Sequence, residues 1–351
     1  MRNEGGTCFI GEVSTGETTT LRDVAERAGV SMATASRVVT GSAPVRAETR
    51  RRVERAMRDL LYVPPGGPRR TGAIGLLVPE LENPIFPALA QAMENQATGA
   101  GLATILCNIR GSTVAETEYV QMLLEHRVEG MIFISSEAAD LLADHSHYAR
   151  LLNQGARLVF VNGVVDALEV PHVGVDERAA GQIATQHLID LGHRHIGFVA
   201  GPERFLPTRE KGAGRGVTLS LAGLDPDGLV AHAEFGVDGG RSAMSELLSR
   251  RTPPTAVICS SDLMAIGALR EARARGLRVP EDVSIVGFDG IAAAGWTEPP
   301  LTTVVQPIAE IARTAVSTLR SLITGLDGAL PNVQYRPHLH RGGSTGPPAR
   351  V

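Results

Sequence analysis

From about residue 71 the chain repeats one pattern seven times, a short apolar run of strand length followed by an interval of helical length. The runs are AIGLLVP (73–79), LATILC (102–107), MIFIS (131–135), RLVFV (157–161), HIGFVAG (195–201), TAVICSS (255–261) and VSIVGFDG (283–290). Apolar strands separated by helices read as βαβ units, in which each strand crosses over to a parallel neighbour and is covered on both faces. The body is therefore expected to be α/β, with two parallel sheets. The first series covers about 71–168 and the second about 169–295, with PPLTTVVQP (299–307) crossing back to supply a final helix and strand to the first. Ligands of open α/β sheets sit at the carboxyl ends of the strands, so two facing sheets make a cleft that a hinge can close.

A different module precedes this body. At 351 residues the chain has room for two or three domains. Its net charge of −4 is unevenly spread: residues 20–70 carry eleven arginines against five acids, a balance of +6, and the remainder carries −10. A basic head on an acidic body suits a phosphate-binding partner, although a solvated charged face would look the same. Residues 1–19 contain no apolar stretch of secretory length, and no run approaches the roughly 20 apolar residues that span a bilayer. Cys8, Cys107 and Cys259 are widely spaced and match no metal or CxxC pattern. A cytoplasmic protein with no membrane partner is the expectation.

The head begins with TLRDVAERAGVSMATASRVV (20–39). Thr20 with Asp23 has the form of a capping box, and Leu21, Val24, Ala25 and Ala28 line one helical face. Gly29 supplies a positive-φ turn and Ser31 can cap a second helix. There Ala35, Val38 and Val39 point inward, leaving Met32, Ala33, Thr34, Ser36 and Arg37 nearer the exposed side. After a break at 41–44, Val53, Ala56, Met57 and Leu60 give a third helix an apolar face. This is a helix-turn-helix, whose second helix fits the major groove of double-stranded DNA. Arg37 can pair bidentately with guanine, Met32 and Ala33 can meet a thymine methyl, and Ser31, Thr34 and Ser36 can reach phosphates. Arg50 and Tyr62 are candidate backbone clamps. A small polar-surfaced helical bundle is the plainer reading of the period alone.

The stretches TLRDVAERAGVS, ATASRVVTG and ETRRRVERAMRDLLYVP resemble the DNA-binding domain of the lactose repressor (LacI/GalR) family nearly residue by residue. The resemblance runs over roughly 20–340, through NPIFPAL, VEGMIFI, DLGHRHIGFVAGP, SSDLMAIGAL and VPEDVSIVGFDG. It implies that Met32, Ala33 and Arg37 read bases and that Thr20, Ser31, Thr34, Ser36, Arg50 and Tyr62 hold the backbone. It also implies a two-lobed core like that of periplasmic sugar-binding proteins. The expected domains are a tail (1–19), a helix-turn-helix (20–63), a linker (64–71), an effector-binding and dimerisation core (72–340) and a flexible tail (341–351).

For the effector, Asp289 ends VSIVGFDG and can accept two hydroxyl hydrogen bonds, while Phe86 and Phe235 can stack on a ring. Asp176 ends HVGVD, and Ser261 stands where the family usually has asparagine. Lys211, the chain's only lysine, falls where the resemblance implies an effector-clamping arginine, with Arg209 or Arg215 as substitutes. His193 and His195 lack a third metal ligand, so a structural role is favoured. No catalytic motif or cofactor-binding fingerprint appears.

The chain departs from the family at the linker. YVPPGGPRRTGAIG (62–75) replaces the family's hinge helix, whose leucine wedges into the minor groove. Three prolines and two glycines within 64–68 disfavour a helix, no leucine is present, and Arg69 and Arg70 are left to approach the minor groove or phosphates. The tail has no leucine heptads, so a homodimer on a near-palindromic operator is expected. The expectation is a transcription regulator, more readily a repressor, controlled by a small sugar-like effector. A solute-binding transport protein and a sugar-acting α/β enzyme are the alternatives.

Overall fold

The computed structural model describes residues 20–40, 42, 44–60, 62, 72–109, 113–325 and 332–349. The chain divides into two compact units, Met1–Arg70 and Thr71–Val351. The first contains α1 (Leu21–Ala28), α2 (Met32–Thr40) and α3 (Ala47–Asp59). Each boundary has a local cause. The Thr20 amide donates to Asp23 Oδ2 at 2.7 Å and the Asp23 amide donates to Thr20 Oγ1 at 3.4 Å, a reciprocal cap. Gly29 ends α1 in the left-handed region at φ 61°. A Cβ there would lie 2.7 Å from the Arg52 guanidinium, which donates to the Ala28 carbonyl at 2.5 Å and the Gly29 carbonyl at 3.2 Å. Arg52 thus carries a positive charge from α3 to the carbonyl end of α1, where the helix dipole favours it. Val24, Ala25, Ala28, Ala35, Val38, Val53 and Ala56 close the core between the helices.

The second unit holds two six-stranded sheets. The first has the order β11-β5-β4-β3-β1-β2, built from β1 (Ala73–Val78), β2 (Ala103–Asn108), β3 (Gly130–Ile134), β4 (Leu158–Val161), β5 (His172–Val175) and β11 (Val333–Tyr335). The second has the order β12-β10-β9-β8-β6-β7, from β6 (Ile196–Ala200), β7 (Val230–His232), β8 (Ala256–Cys259), β9 (Ser284–Asp289), β10 (Thr302–Val305) and β12 (His338–His340). Among the described residues, β10 with β12 is the one antiparallel strand pairing. The inner strands are buried along their whole length, as crossover helices on both faces require. All seven apolar runs of the sequence are strands.

Three boundaries differ from the sequence reading. HVGV joins the first sheet as β5, so that lobe extends past 168 to residue 175. The 299–307 segment lays β10 beside β9 before it crosses, and the elements it feeds, α11 (Ile308–Thr324) and β11, then join the first lobe. Residues 341–349 of the tail are packed, not loose. Ser344 is fully buried; its hydroxyl donates to the Ile285 carbonyl at 2.6 Å and accepts from the Thr302 amide at 2.8 Å. His193 Nε2 lies 2.8 Å from the Gly346 carbonyl and Nδ1 2.9 Å from Thr255 Oγ1, a structural role for that histidine. The glycines and prolines of the tail read as flexible because its partners, β9 and β10, lie some forty to sixty residues away. The chain therefore passes between the lobes after β5, after β10 and after β11. Among the described residues, no helix is long and apolar enough to cross a membrane.

Candidate functional site

In the helical unit, α2 is divided lengthwise. Ala35 and Val38 are buried, whereas Ser31, Met32, Ala33 and Arg37 are exposed and Thr34 and Ser36 are half-buried. Met32 keeps 49% of its surface open, a large apolar side chain for which the small core has no place. Ser31 accepts from the Thr34 amide at 3.2 Å, and the two hydroxyls lie 2.9 Å apart, so this pair holds the start of the helix. The outward groups are thereby held on a rigid helical ridge of the width that a major groove admits. Thr20 and Arg50 are exposed as well. Tyr62 is not at the surface. Its ring packs into the small core, leaving the residue 8% exposed. Arg69 and Arg70 lie outside the described residues.

In the body, the carboxyl ends of the two sheets face each other. Asn162, just after β4, donates through Nδ2 to Gln306 Oε1 at 3.2 Å, and Gln306 donates through Nε2 to Asp289 Oδ1 at 2.8 Å. Beyond β3, Asp140 forms a β-bridge with Phe205 and an ion pair with Arg204 at 3.2 Å. The strand ends between these links line the cleft that the topology calls for.

Asp289 is 4% exposed and adopts φ 124°, a strained backbone for a residue other than glycine. Its Oδ2 is buried and finds no hydrogen-bond partner among the described residues. An unmatched buried acceptor of this kind is costly unless a ligand completes it. Burial, followed by the neighbouring Asp262 carboxyl, pushes the Asp289 pKa well above the usual carboxylate range, against the pull of Lys211 and Gln306. Asp262 is better supplied. It accepts from the Gly290 and Ile291 amides at 2.8 and 2.9 Å and from Thr303 Oγ1 at 2.6 Å. The negative charge of the pair therefore rests more easily on Asp262, which the sequence did not single out.

The other candidates divide. Phe235, beyond β7, is 42% exposed and its ring stands 5.6 Å from that of Phe205. Phe86, at the start of α4 (Ile85–Gly99), is half-buried against the core. Asp176 and Ser261 work as helix caps, accepting from the Ala179 amide at 2.8 Å and the Met264 amide at 3.2 Å. Lys211 is not available as a clamp. It is 4% exposed, with Nζ 2.6 Å from Glu177 Oε2 and 3.8 Å from the centre of the Phe288 ring. Arg215 is also spent, donating to the carbonyls of Pro226 and Ile196 at 2.7 and 2.8 Å. On this helix, α8 (Leu206–Leu221), Arg209 is the exposed cation. Spacing along the chain placed Lys211 in register with the clamp, but its partner Glu177 is on another helix and leaves no local trace.

Glu116, Glu137 and His147 form the one cluster of possible metal donors among the described residues. Their geometry holds a proton instead. His147 Nε2 faces Glu116 Oε1 at 3.0 Å and Nδ1 faces the Asp144 carbonyl at 3.2 Å, two acceptors that call for a hydrogen on each nitrogen. Burial opposes the charge, but the hydrogen bond and charge of Glu116, then the Asp144 carbonyl and Glu137, outweigh it and raise the His147 pKa. A histidine raised in the folded state contributes stability that is complete below its unfolded pKa of about 6.5 and is lost as pH rises through the folded value. Thermal melting followed from pH 5 to 9 should show this decline in the wild type. His147→Gln should be less stable at pH 5 and should lose less stability than the wild type between pH 5 and 9; parallel curves would refute the assignment.

Comparisons with known proteins agree with this geometry. The pattern described as "Bacterial regulatory proteins, lacI family" matches residues 20–65, and that of the periplasmic binding protein-like domain matches residues 185–345. The HTH-type transcriptional regulator MalR of Streptomyces coelicolor is 42% identical over 93% of this chain and 97% of its own. The structure of the transcriptional regulator CelR–cellobiose complex is 34% identical, with a TM-score of 0.72 over 93% of this chain and 99% of the other. That of the lac repressor dimer bound to operator and an anti-inducer is 28% identical, with a TM-score of 0.78 over 94% and 100%.

Proposed function

The chain belongs to the LacI family of bacterial regulatory proteins, and from that premise we propose that it is a cytoplasmic, dimeric transcription regulator, acting as a repressor. The observation that carries this reading is the outward face of α2, where Met32, Ala33 and Arg37 stand exposed on a helix fixed by its caps and core. Arg37 reads guanine, Met32 and Ala33 meet apolar base edges, and Ser31, Thr34, Ser36, Thr20 and Arg50 hold the backbone. Two such heads read a near-palindromic operator, with affinity that falls steeply as salt rises.

The effector is a small sugar held between the lobes. Asp289 Oδ2 accepts a hydroxyl, Phe86 and Phe235 flank the ring, and Arg209 takes the place assigned from spacing to Lys211. Two of the three regulators compared above support this reading, the structure of one being a complex with cellobiose and that of the other being bound to operator and an anti-inducer. Regulation requires only that the sugar bind one lobe arrangement better, typically by about 1–3 kcal/mol. Selection of duplexes from a random pool by the purified protein, with and without cellobiose, maltose and ribose, tests the whole reading. An enriched palindrome whose capture changes with one sugar supports it, and capture of all duplexes alike refutes it.

The linker residues 64–71 lie outside the described residues, and the proposal for them rests on sequence. With no leucine wedge and Arg69 and Arg70 as the only contacts, the operator should bend little. A circular-permutation gel assay should show a shallow bend; a sharp central kink would contradict it.

A further inference from the structure

Asp289 does not stand alone in the cleft, and the hydrogen bonds behind it run in one direction. Asn162 adopts φ 54° just after β4 and accepts the Val175 amide on Oδ1 at 3.1 Å. Gly174 leaves room for that oxygen, since a Cβ there would lie 2.8 Å from it. A backbone N–H can only donate, so the Asn162 side chain has one orientation, with Nδ2 turned towards Gln306. Gln306 must then present Oε1 to Asn162 and Nε2 to Asp289 Oδ1. Reversing either amide sets donor against donor or acceptor against acceptor at one end. The direction chosen by Val175 is thus imposed three residues away in the chain of contacts, on the carboxyl group.

The ends of the relay are placed where the lobes are joined. Val175 is the last residue of β5 before the chain first passes to the second lobe, and Gln306 follows β10 where it passes back. A change in lobe arrangement turns on these crossings, and so acts directly on contacts of 3.2 and 2.8 Å.

We propose that Asn162 and Gln306 are positioning residues that couple lobe arrangement to the state of Asp289, holding Oδ1 with a donated hydrogen bond and leaving Oδ2 for the effector. This rests on the reading of Asp289 as the effector's carboxyl. With the relay made, Gln306 favours the carboxylate, the form that accepts hydroxyl donors. With the relay stretched, Asp289 faces Asp262 from α10 (Asp262–Ala274) with Lys211 on α8 and Glu177 on α7 (Glu177–Asp190) as the remaining charges around it. Without the Gln306 hydrogen bond the carboxyl holds its proton more firmly, and Asp289 becomes a poorer acceptor. Effector binding and the relay-intact arrangement support one another.

The test uses the full-length protein without DNA or effector. Asn162→Asp still accepts the Val175 amide but turns an acceptor towards Gln306, whose amide must reverse and set Oε1 against Asp289. The melting temperature should fall by roughly 5 °C at pH 8 and by much less at pH 5, where the carboxyls can take up protons. In an Asp289→Asn background the new amide can donate to the reversed Gln306, so the same Asn162→Asp change should lower the melting temperature by less than half as much. That rescue separates a directional relay from ordinary packing. Equal losses in the two backgrounds, or a loss independent of pH, overturn the proposal. Failure of DNA or sugar binding would bear on the proposed function alone, because neither enters this measurement.

Discussion

Arg37→Ala should abolish operator discrimination while leaving the fold untouched. Arg37 is exposed on α2 and makes no contribution to the small core. A bidentate arginine–guanine pair supplies about 1–3 kcal/mol of discrimination, and the proposed dimer uses two. The expected loss is about 2–6 kcal/mol, from roughly 30-fold to more than 10⁴-fold in affinity for the selected operator. Binding to a scrambled duplex should weaken far less, since that binding comes from phosphate charge. Fluorescence anisotropy with both duplexes, alongside a melting curve, separates the cases. Equal weakening on both duplexes would make Arg37 a phosphate contact and remove the base-reading role.

Asp289→Asn is expected to move function and stability in opposite directions. The substitution keeps the shape and the bond from Gln306, but replaces the unmatched Oδ2 acceptor with a donor. Leaving a ligand hydroxyl without its buried partner typically costs about 1–3 kcal/mol, so the active sugar should bind roughly 10-fold to 10²-fold more weakly. Operator binding without sugar should persist. Stability should rise, for a reason that fixes its pH dependence. The folded-state pKa of Asp289 is raised by burial and by Asp262. Above the unfolded value of about 3.9 the unfolded chain gives up a proton that the folded protein retains, so the wild type loses stability as pH climbs towards the raised pKa. Asp289→Asn removes that loss. Its melting temperature should exceed the wild-type value at pH 7–8 and converge with it near pH 4. A variant that still responds fully to the sugar would place effector recognition elsewhere.

Features with short-range causes were legible in the chain. Thr20, Gly29 and Ser31 mark the helix ends because a cap or a left-handed turn is decided within about four residues. The seven strands announce themselves as apolar runs, and Asp289 as the polar residue closing one of them. Lys211 was misplaced because an ammonium at the right spacing looks available until the partner that covers it, Glu177, is known. Asn162, Gln306 and Asp262 gave no signal, since an amide or carboxyl beyond a strand is unremarkable until its neighbours are named. Arg52, one of several arginines on α3, is likewise set apart only by the carbonyls it reaches.

The order of residues alone determined a basic three-helix head, an α/β body of parallel strands, and membership of a family of regulators. The head and the body follow from periodicity, capping and composition, which act between near neighbours and are written directly in the chain, and the family follows from the resemblance of its motifs. Tertiary structure decided which polar groups remain open to a ligand. Lys211, Arg215, Asp176 and Ser261 are occupied by partners within the body, whereas Asp289 Oδ2 is buried and left without one among the described residues. Whether a buried group is satisfied depends on atoms brought together from distant parts of the chain, and the free-energy cost of leaving it unmet exists only once they have met.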